Sequence, residues 1–239
     1  MKPWVLDICC CAGGAAKGYQ RAGFEVLGVD IVSRPNYCGD HFVEANGLAV
    51  LADLAHDWHS TIGAPRFRWP RPALIHMSWP CQAASTLTTG TNKSKGWGRE
   101  HVQLVPEGRR LAEATGIPFV IEQPAGHGGL IRRDLTLCMD MFPIEPPRVF
   151  RHRDFEISGF AVMQPGHVKH SGRVRGLRHG VWYQGDYVAA YGNGGGKATV
   201  PEMQHALGID WTDVREELTE AIPPAYTEYI GRAFLEGRS

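Results

Sequence analysis

Residues 4–31 restrict the possible folds more sharply than any other stretch. Residues 4–9, WVLDIC, are an apolar run of strand length, residues 11–14, CAGG, a tight loop, and residues 15–22 a helix. Residues 25–30, EVLGVD, are a second strand that ends on an acid. This β-loop-α-β unit predicts an α/β fold: a Rossmann-like, mostly parallel twisted sheet with helices on both faces. A glycine turn lets a ligand approach the backbone and the helix N-terminus, and Asp30, about twenty residues after the loop, is placed to accept hydrogen bonds from ribose hydroxyls. A nucleoside-containing cofactor follows. The competing reading is a glycine turn and a solvated Asp30.

Residues 73–77, ALIHM, read as a short buried strand that halts at Trp79-Pro80, just before Cys81. Proline fixes φ and cannot continue a ladder, so the next side chain is offered to a cleft at the carboxyl edge of the sheet. A thiol held there can be a nucleophile; otherwise Cys81 is a small buried hydrophobe. Residues 117–122, IPFVIE, form another strand ending in an acid. Strands joined by a crossover helix point the same way, so Glu122 belongs at the same edge as Cys81. Its alternative is a capping or salt-bridged glutamate.

The chain has 239 residues, enough for one domain with a full core, and 43% hydrophobic and 21% charged residues, ordinary for a globular protein. No run has the length of a membrane span, and the N-terminus lacks a signal peptide's apolar region, so a cytoplasmic chain is expected. Cys9, Cys10, Cys11, Cys38, Cys81 and Cys138 show no zinc-like CxxC pairing, which favours a reducing compartment. A formal net charge of zero argues against broad nonspecific nucleic-acid binding but allows a local basic face.

Elsewhere, residues 42–58 read as a strand end and an amphipathic helix with Leu48, Leu51, Leu54 and Ala55 on one face. Residues 63–72 read as a connection. Residues 86–100, TLTTGTNKSKGWGRE, combine glycines with Lys93, Lys95, Trp97 and Arg99, suiting a lid that closes over phosphates and bases, or an ordinary surface loop. Residues 135–142 read as a strand with a buried Cys138. Alternation puts Arg151 and Arg153 on one strand face and His152 on the other. Residues 158–197 are glycine-rich and aperiodic. No metal is expected: His167, His170 and His179 have no helical H-x-x-x-H spacing and no partner cysteine, and read as exposed or phosphate-facing. Helices are expected near 200–207, 212–221 and 225–236.

VLDICCCAGGAAKGYQRAGF and SWPCQAAS together resemble the DNA (cytosine-5) methyltransferases, whose motifs run DLFCGAGG-x-x-x-G-x-x-x-AGF and PCQ-x-x-S. The compact layout is similar to the small members carried by bacterial viruses, which function in DNA modification and restriction-modification. Glu122-Gln123-Pro124 stands where the family has ENV, Arg151-His152-Arg153 resembles its Q-x-R-x-R, and Ile222-Pro223-Pro224 its last motif. Cys9 replaces the family's phenylalanine, Cys11 its first loop glycine, Asn46 an aspartate that holds the adenine amino group, and Thr219-Glu220 its Gly-Asn. The resemblance implies S-adenosylmethionine as cofactor, held by Asp7, Cys9, Cys11, Ala12, Gly13, Gly14, Asp30, Ile31, Asn46, Pro80 and Ile222. It implies Cys81, Glu122, Arg151 and Arg153 as catalytic residues, and Gln82, Ser85, Lys93, Lys95, Trp97, Arg99 and Gln123 as substrate contacts. Residues 1–157 would form the catalytic core, 158–197 a reduced target-recognition segment and 198–239 the helices that complete the core.

The implied reaction methylates carbon 5 of a cytosine flipped out of duplex DNA, through a covalent Cys81 adduct, by a monomer. Alternatives are the same chemistry on a free deoxycytidine nucleotide or RNA, a modified sulfonium donor, or a nucleic-acid-binding relative without catalysis.

Overall fold

A computed structural model of the chain describes residues 2–56, 70–80, 103–167, 169–191 and 198–238. Its centre is a seven-stranded sheet of order β3-β2-β1-β4-β5-β7-β6. The strands are β1 (Trp4–Ile8), β2 (Glu25–Asp30), β3 (His41–Glu44), β4 (Leu74–Met77), β5 (Phe119–Pro124), β6 (Leu135–Leu137) and β7 (Arg153–Ser158). The first five pair in parallel, and β7 runs antiparallel between β5 and β6.

Successive strand residues leave opposite faces of a sheet. Val5, Val26, Leu74 and Val120 therefore share one face, packed in the same cluster as residues of α1 (Gly14–Ala22), α4 (Val200–Leu207), α5 (Arg215–Glu220) and α6 (Pro224–Glu236). Leu6, Leu27, Ile75 and Ile121 share the other face with α2 (Gly47–His56) and α3 (Val105–Thr115). Helices on both faces of a mostly parallel sheet are the architecture that residues 4–31 predict.

Local differences have local causes. The strand expected over 135–142 stops at Leu137, because residues Met139–Met141 turn into a 3-10 helix whose first residue, Met139, is buried. Arg151 lies before β7 rather than in it, so the expected strand alternation of Arg151 and Arg153 does not apply. The buried side of α2 is Val50, Leu51 and Leu54, with Ala55 only partly covered. The middle C-terminal helix starts at Arg215, three residues later than expected. A hairpin of β8 (Gly176–Arg178) and β9 (Val181–Tyr183) lies in the 158–197 segment and exposes Leu177, Val181 and Trp182. Among the described residues no helix is long and apolar enough to cross a membrane.

Candidate active site

The chain runs outward from β1 to β2 and β3, then returns to place β4 on the other side of β1. Loops leaving two neighbouring strands in opposite directions open a crevice at their carboxyl ends. A cavity of about 390 Å³ occupies it. One wall is Asp7 and the loop after β1; the others come from Asp30 to Arg34, from Ser78, Trp79 and Pro80, from Glu122 and Arg153, and from residues 219–222.

The β1 loop is bent hard. Cys9 and Cys11 have φ of 60° and 47°, a left-handed conformation that costs a residue with a Cβ about 1–2 kcal/mol. Hydrogen bonds hold it there: the Cys9 and Cys10 amides donate to Val29 O at 2.8 and 3.2 Å, and the Cys11 amide donates to Asp30 Oδ2 at 3.1 Å. Cys11 thus sits in the left-handed region that favours glycine, and its Sγ lies 3.9 Å from Glu220 Oε2. Gly13 caps α1 with φ of 87°. At Gly14 a Cβ would lie 2.3 Å from Ile222 O, so only glycine lets the loop press against the C-terminal segment. Burial raises the Cys9 and Cys11 thiols to about 12 and about 11, which leaves both protonated at neutral pH and unsuited to nucleophilic attack.

Three carboxyl groups enclose this wall. Asp7 is fully buried, its oxygens have no hydrogen-bond partner among the described residues, and burial with nearby Asp30 raises its pKa to about 8. Asp30, expected as a ribose acceptor, has protein partners here. Arg34, which sequence reasoning left out, clamps it with Nε 3.0 Å from Oδ2 and Nη2 3.2 Å from Oδ1. The Val32 amide also donates to Oδ1 at 3.3 Å. Glu220 is the third, again not foreseen. Arg34 stands four residues after Asp30, a spacing that is a signal only once the backbone is known to turn there.

Across the cavity, β5 brings Glu122 beside β4: Met77 pairs with Ile121, so Glu122 stands next to the segment leading to Pro80. Arg153 pairs across from Pro124 at the start of β7 and places Nε 2.6 Å from Glu122 Oε1. Burial raises the Glu122 pKa, and Arg153 followed by Arg151 opposes that rise. Cys81, Gln82, Ser85, Lys93, Lys95, Trp97 and Arg99 lie outside the described residues, as do the expected lid 86–100, residues 63–69 of the connection and the glycine turn at 192–197.

Three residues expected at the ligand have protein partners. Asn46 Oδ1 accepts from the Leu48 and Ala49 amides at 2.9 and 3.3 Å, so this carbonyl caps α2. Gln123 is buried, and its Nε2 donates to Trp79 O at 2.9 Å; it positions the turn that carries Pro80 and does not line the cavity. Arg151 donates to the carbonyls of Ala190, Thr219 and Ala221 at 3.0, 2.6 and 2.8 Å, which ties β7's approach to residues 219–222. His167, which is exposed, and His170, half-buried, meet His152 and Cys138, the partner cysteine that the spacing did not suggest, while His179 is not in this group.

No protein-family model and no curated protein matches the sequence. Solved structures are similar to it along almost the whole chain. One is a chain described as a DNA modification methyltransferase encoded within a prophage (E. coli), with 13% identity, 99% of each chain covered and a TM-score of 0.59. The S. pombe Dnmt2 methyltransferase gives the same three values. The Entamoeba histolytica methyltransferase EhMeth gives 10% identity, 100% of this chain and 99% of that chain covered, and a TM-score of 0.53. At these identities the likeness is one of fold, and the chain has the fold of these methyltransferases.

Proposed function

We propose that the chain transfers a methyl group from S-adenosylmethionine to carbon 5 of cytosine in DNA, with Cys81 as covalent nucleophile. The observation that carries this reading is the Glu122–Arg153 contact inside a cavity walled on the other side by the β1 loop and, at its rim, by Pro80. Cys81 follows Pro80 directly. The neighbours named for DNA modification and as Dnmt2 support nucleic acid as substrate.

The cavity suits the cofactor. Its volume is that of a site for a small molecule. The buried Asp7 carboxyl lacks a partner that a cationic ligand would supply. The positive-φ loop leaves backbone next to the ligand, and Asp30 would receive ribose hydroxyls once Arg34 yields one of its contacts. S-adenosylmethionine supplies an electrophilic methyl group on a sulfonium.

Carbon 5 of cytosine is a poor nucleophile. Cys81 as thiolate would add to carbon 6 while Glu122 in its acid form, the form that burial favours, donates its proton to ring nitrogen 3, so that carbon 5 gains electron density. Arg153 would hold the ring carbonyl oxygen and keep Glu122 oriented. After transfer, water would remove the carbon 5 proton, Glu122 would take back the proton on ring nitrogen 3, and the thiolate would be expelled. A base within a duplex cannot reach this cleft, so the nucleotide would rotate out, and the lid expected over residues 86–100 would close behind it. Residues 158–197 would supply the limited recognition surface, and the protein would act as a monomer in the cytoplasm.

Duplex DNA containing 5-fluorocytosine should trap an adduct that peptide mass spectrometry maps to Cys81. Cys81→Ser should abolish methylation and leave cofactor binding by calorimetry nearly intact. Full turnover by that variant, or an adduct on another cysteine, overturns the reading.

A further inference from the structure

Away from the cavity, four side chains from four places in the sequence converge on one point. Leu137 pairs with Arg153 across the antiparallel β6–β7 ladder, which sets the next residues outward, Cys138 and His152, against each other. The 158–197 segment folds back over them with His167 and His170. His152 Nε2 lies 3.3 Å from His167 Nε2 and 3.2 Å from His170 Nε2, Cys138 Sγ lies 3.8 Å from His170 Nε2, and all four ligand atoms fall within 4.8 Å of one another.

The first three of these separations are those of a tetrahedral metal centre, and the rest lie within a small adjustment of it. Bonds of about 2.05 Å to nitrogen and about 2.3 Å to sulfur put neighbouring ligand atoms about 3.3 Å apart for two nitrogens and about 3.6 Å for nitrogen and sulfur. Hydrogen bonding alone explains the cluster poorly. A neutral imidazole carries one proton, and Asp140 Oδ2, 2.6 Å from His170 Nδ1, fixes that proton on the far side of the ring. His170 Nε2 therefore turns a lone pair toward the other rings, and His152 Nε2 has a single proton for two partners. A carboxylate behind a histidine is also the usual outer support of a metal ligand. Here it is held in turn by the Tyr187 hydroxyl, which donates to Asp140 Oδ2 at 2.8 Å.

We propose that Cys138, His152, His167 and His170 bind one zinc ion, which pins the 158–197 segment to the edge of the sheet. One thiolate and three neutral imidazoles complete four-coordinate zinc with no open position, so the site is structural. Binding forms one zinc–sulfur and three zinc–nitrogen bonds and releases the Cys138 thiol proton to solvent. This inference is independent of the methyl-transfer reading, since no residue of the cavity takes part.

The test is metal analysis of the full chain without an affinity tag, followed by chelation and titration with zinc and with cobalt(II). The expected result is about one equivalent of either metal per chain, the cobalt form showing the visible bands of a tetrahedral centre and thiolate-to-cobalt charge transfer in the near ultraviolet. Cys138→Ser should lose the charge-transfer band. His167→Ala, at an exposed position where folding is least at risk, should lose tight binding. A chain that takes up neither metal, or that binds both unchanged in the two variants, overturns the proposal.

Discussion

Asp7 is fully buried beside the cavity, and burial together with Asp30 pushes its carboxyl up to about 8. Its ordinary value in an unfolded chain is about 3.9, so the folded state holds a proton that the unfolded state has lost at neutral pH. That contribution to stability is fully present below about pH 4 and is lost as pH rises through about 8. Asp7→Asn should flatten this dependence: its thermal midpoint should fall less than the parent's between about pH 5 and about pH 8. Cofactor affinity of the parent should rise over the same range, because a cationic ligand favours the ionised carboxyl; calorimetry in two buffers of different ionisation heat would detect the released proton. Glu122 has the opposite task, to give a proton, so methyl transfer should decline as pH climbs past its raised pKa. Glu122→Gln should slow single-turnover transfer by about 10²–10⁴-fold with little change in cofactor binding. At this scale the sequence offers Asp30 and Glu122 through their places at strand ends, and Asp7 and Arg153 through the motifs they stand in. It does not show that Asn46 Oδ1 turns inward to cap a helix or that Arg151 faces carbonyls, because a side chain's partner depends on which backbone groups the fold leaves unpaired.

The element that positions the proposed nucleophile is the turn after β4. Trp79 is buried, and its indole is wedged so closely that a Cβ on Gly108 of α3 would lie 2.5 Å from the ring, while one on Gly47 of α2 would lie 3.4 Å from it. Gln123 holds the carbonyl of the same residue from β5. Gly108→Ala should destabilise the fold by about 1–3 kcal/mol through overpacking, measured by chemical denaturation, and should reduce methyl transfer more than cofactor affinity, because it displaces the turn rather than the β1 loop. A second tie links α3 to the reversed strand: Arg109 donates to both Glu156 oxygens at 2.9 and 2.7 Å, and Arg132 Nη1 lies 3.1 Å from Oε1. Glu156→Gln should cost about 2–4 kcal/mol, less than a fully buried pair because both arginines reach solvent. The strands were legible from apolar runs, but their tips were not: β6 ends at Leu137, where the chain turns into the 3-10 helix Met139–Met141.

Over the whole molecule, opposite charges balance to a formal net charge of zero, so any grip on DNA rests on local groups such as those expected at Lys93, Lys95 and Arg99. Duplex binding should still weaken with added salt, log affinity falling with log salt concentration at a slope set by the few phosphates neutralised, about −0.9 per contact. A free nucleotide as substrate would give a nearly flat line in the same titration. Chain order alone carried the parallel core and its crevice, because a strand, a glycine loop, a helix and an acid-ended strand permit few arrangements and each is encoded within about thirty residues. Folding in three dimensions settled the rest. The clamp of Arg34 on Asp30, the support of Trp79 by two distant helices, and the gathering of Cys138 and His152 with His167 and His170 all join residues through pairing register and packing, which no local spacing records.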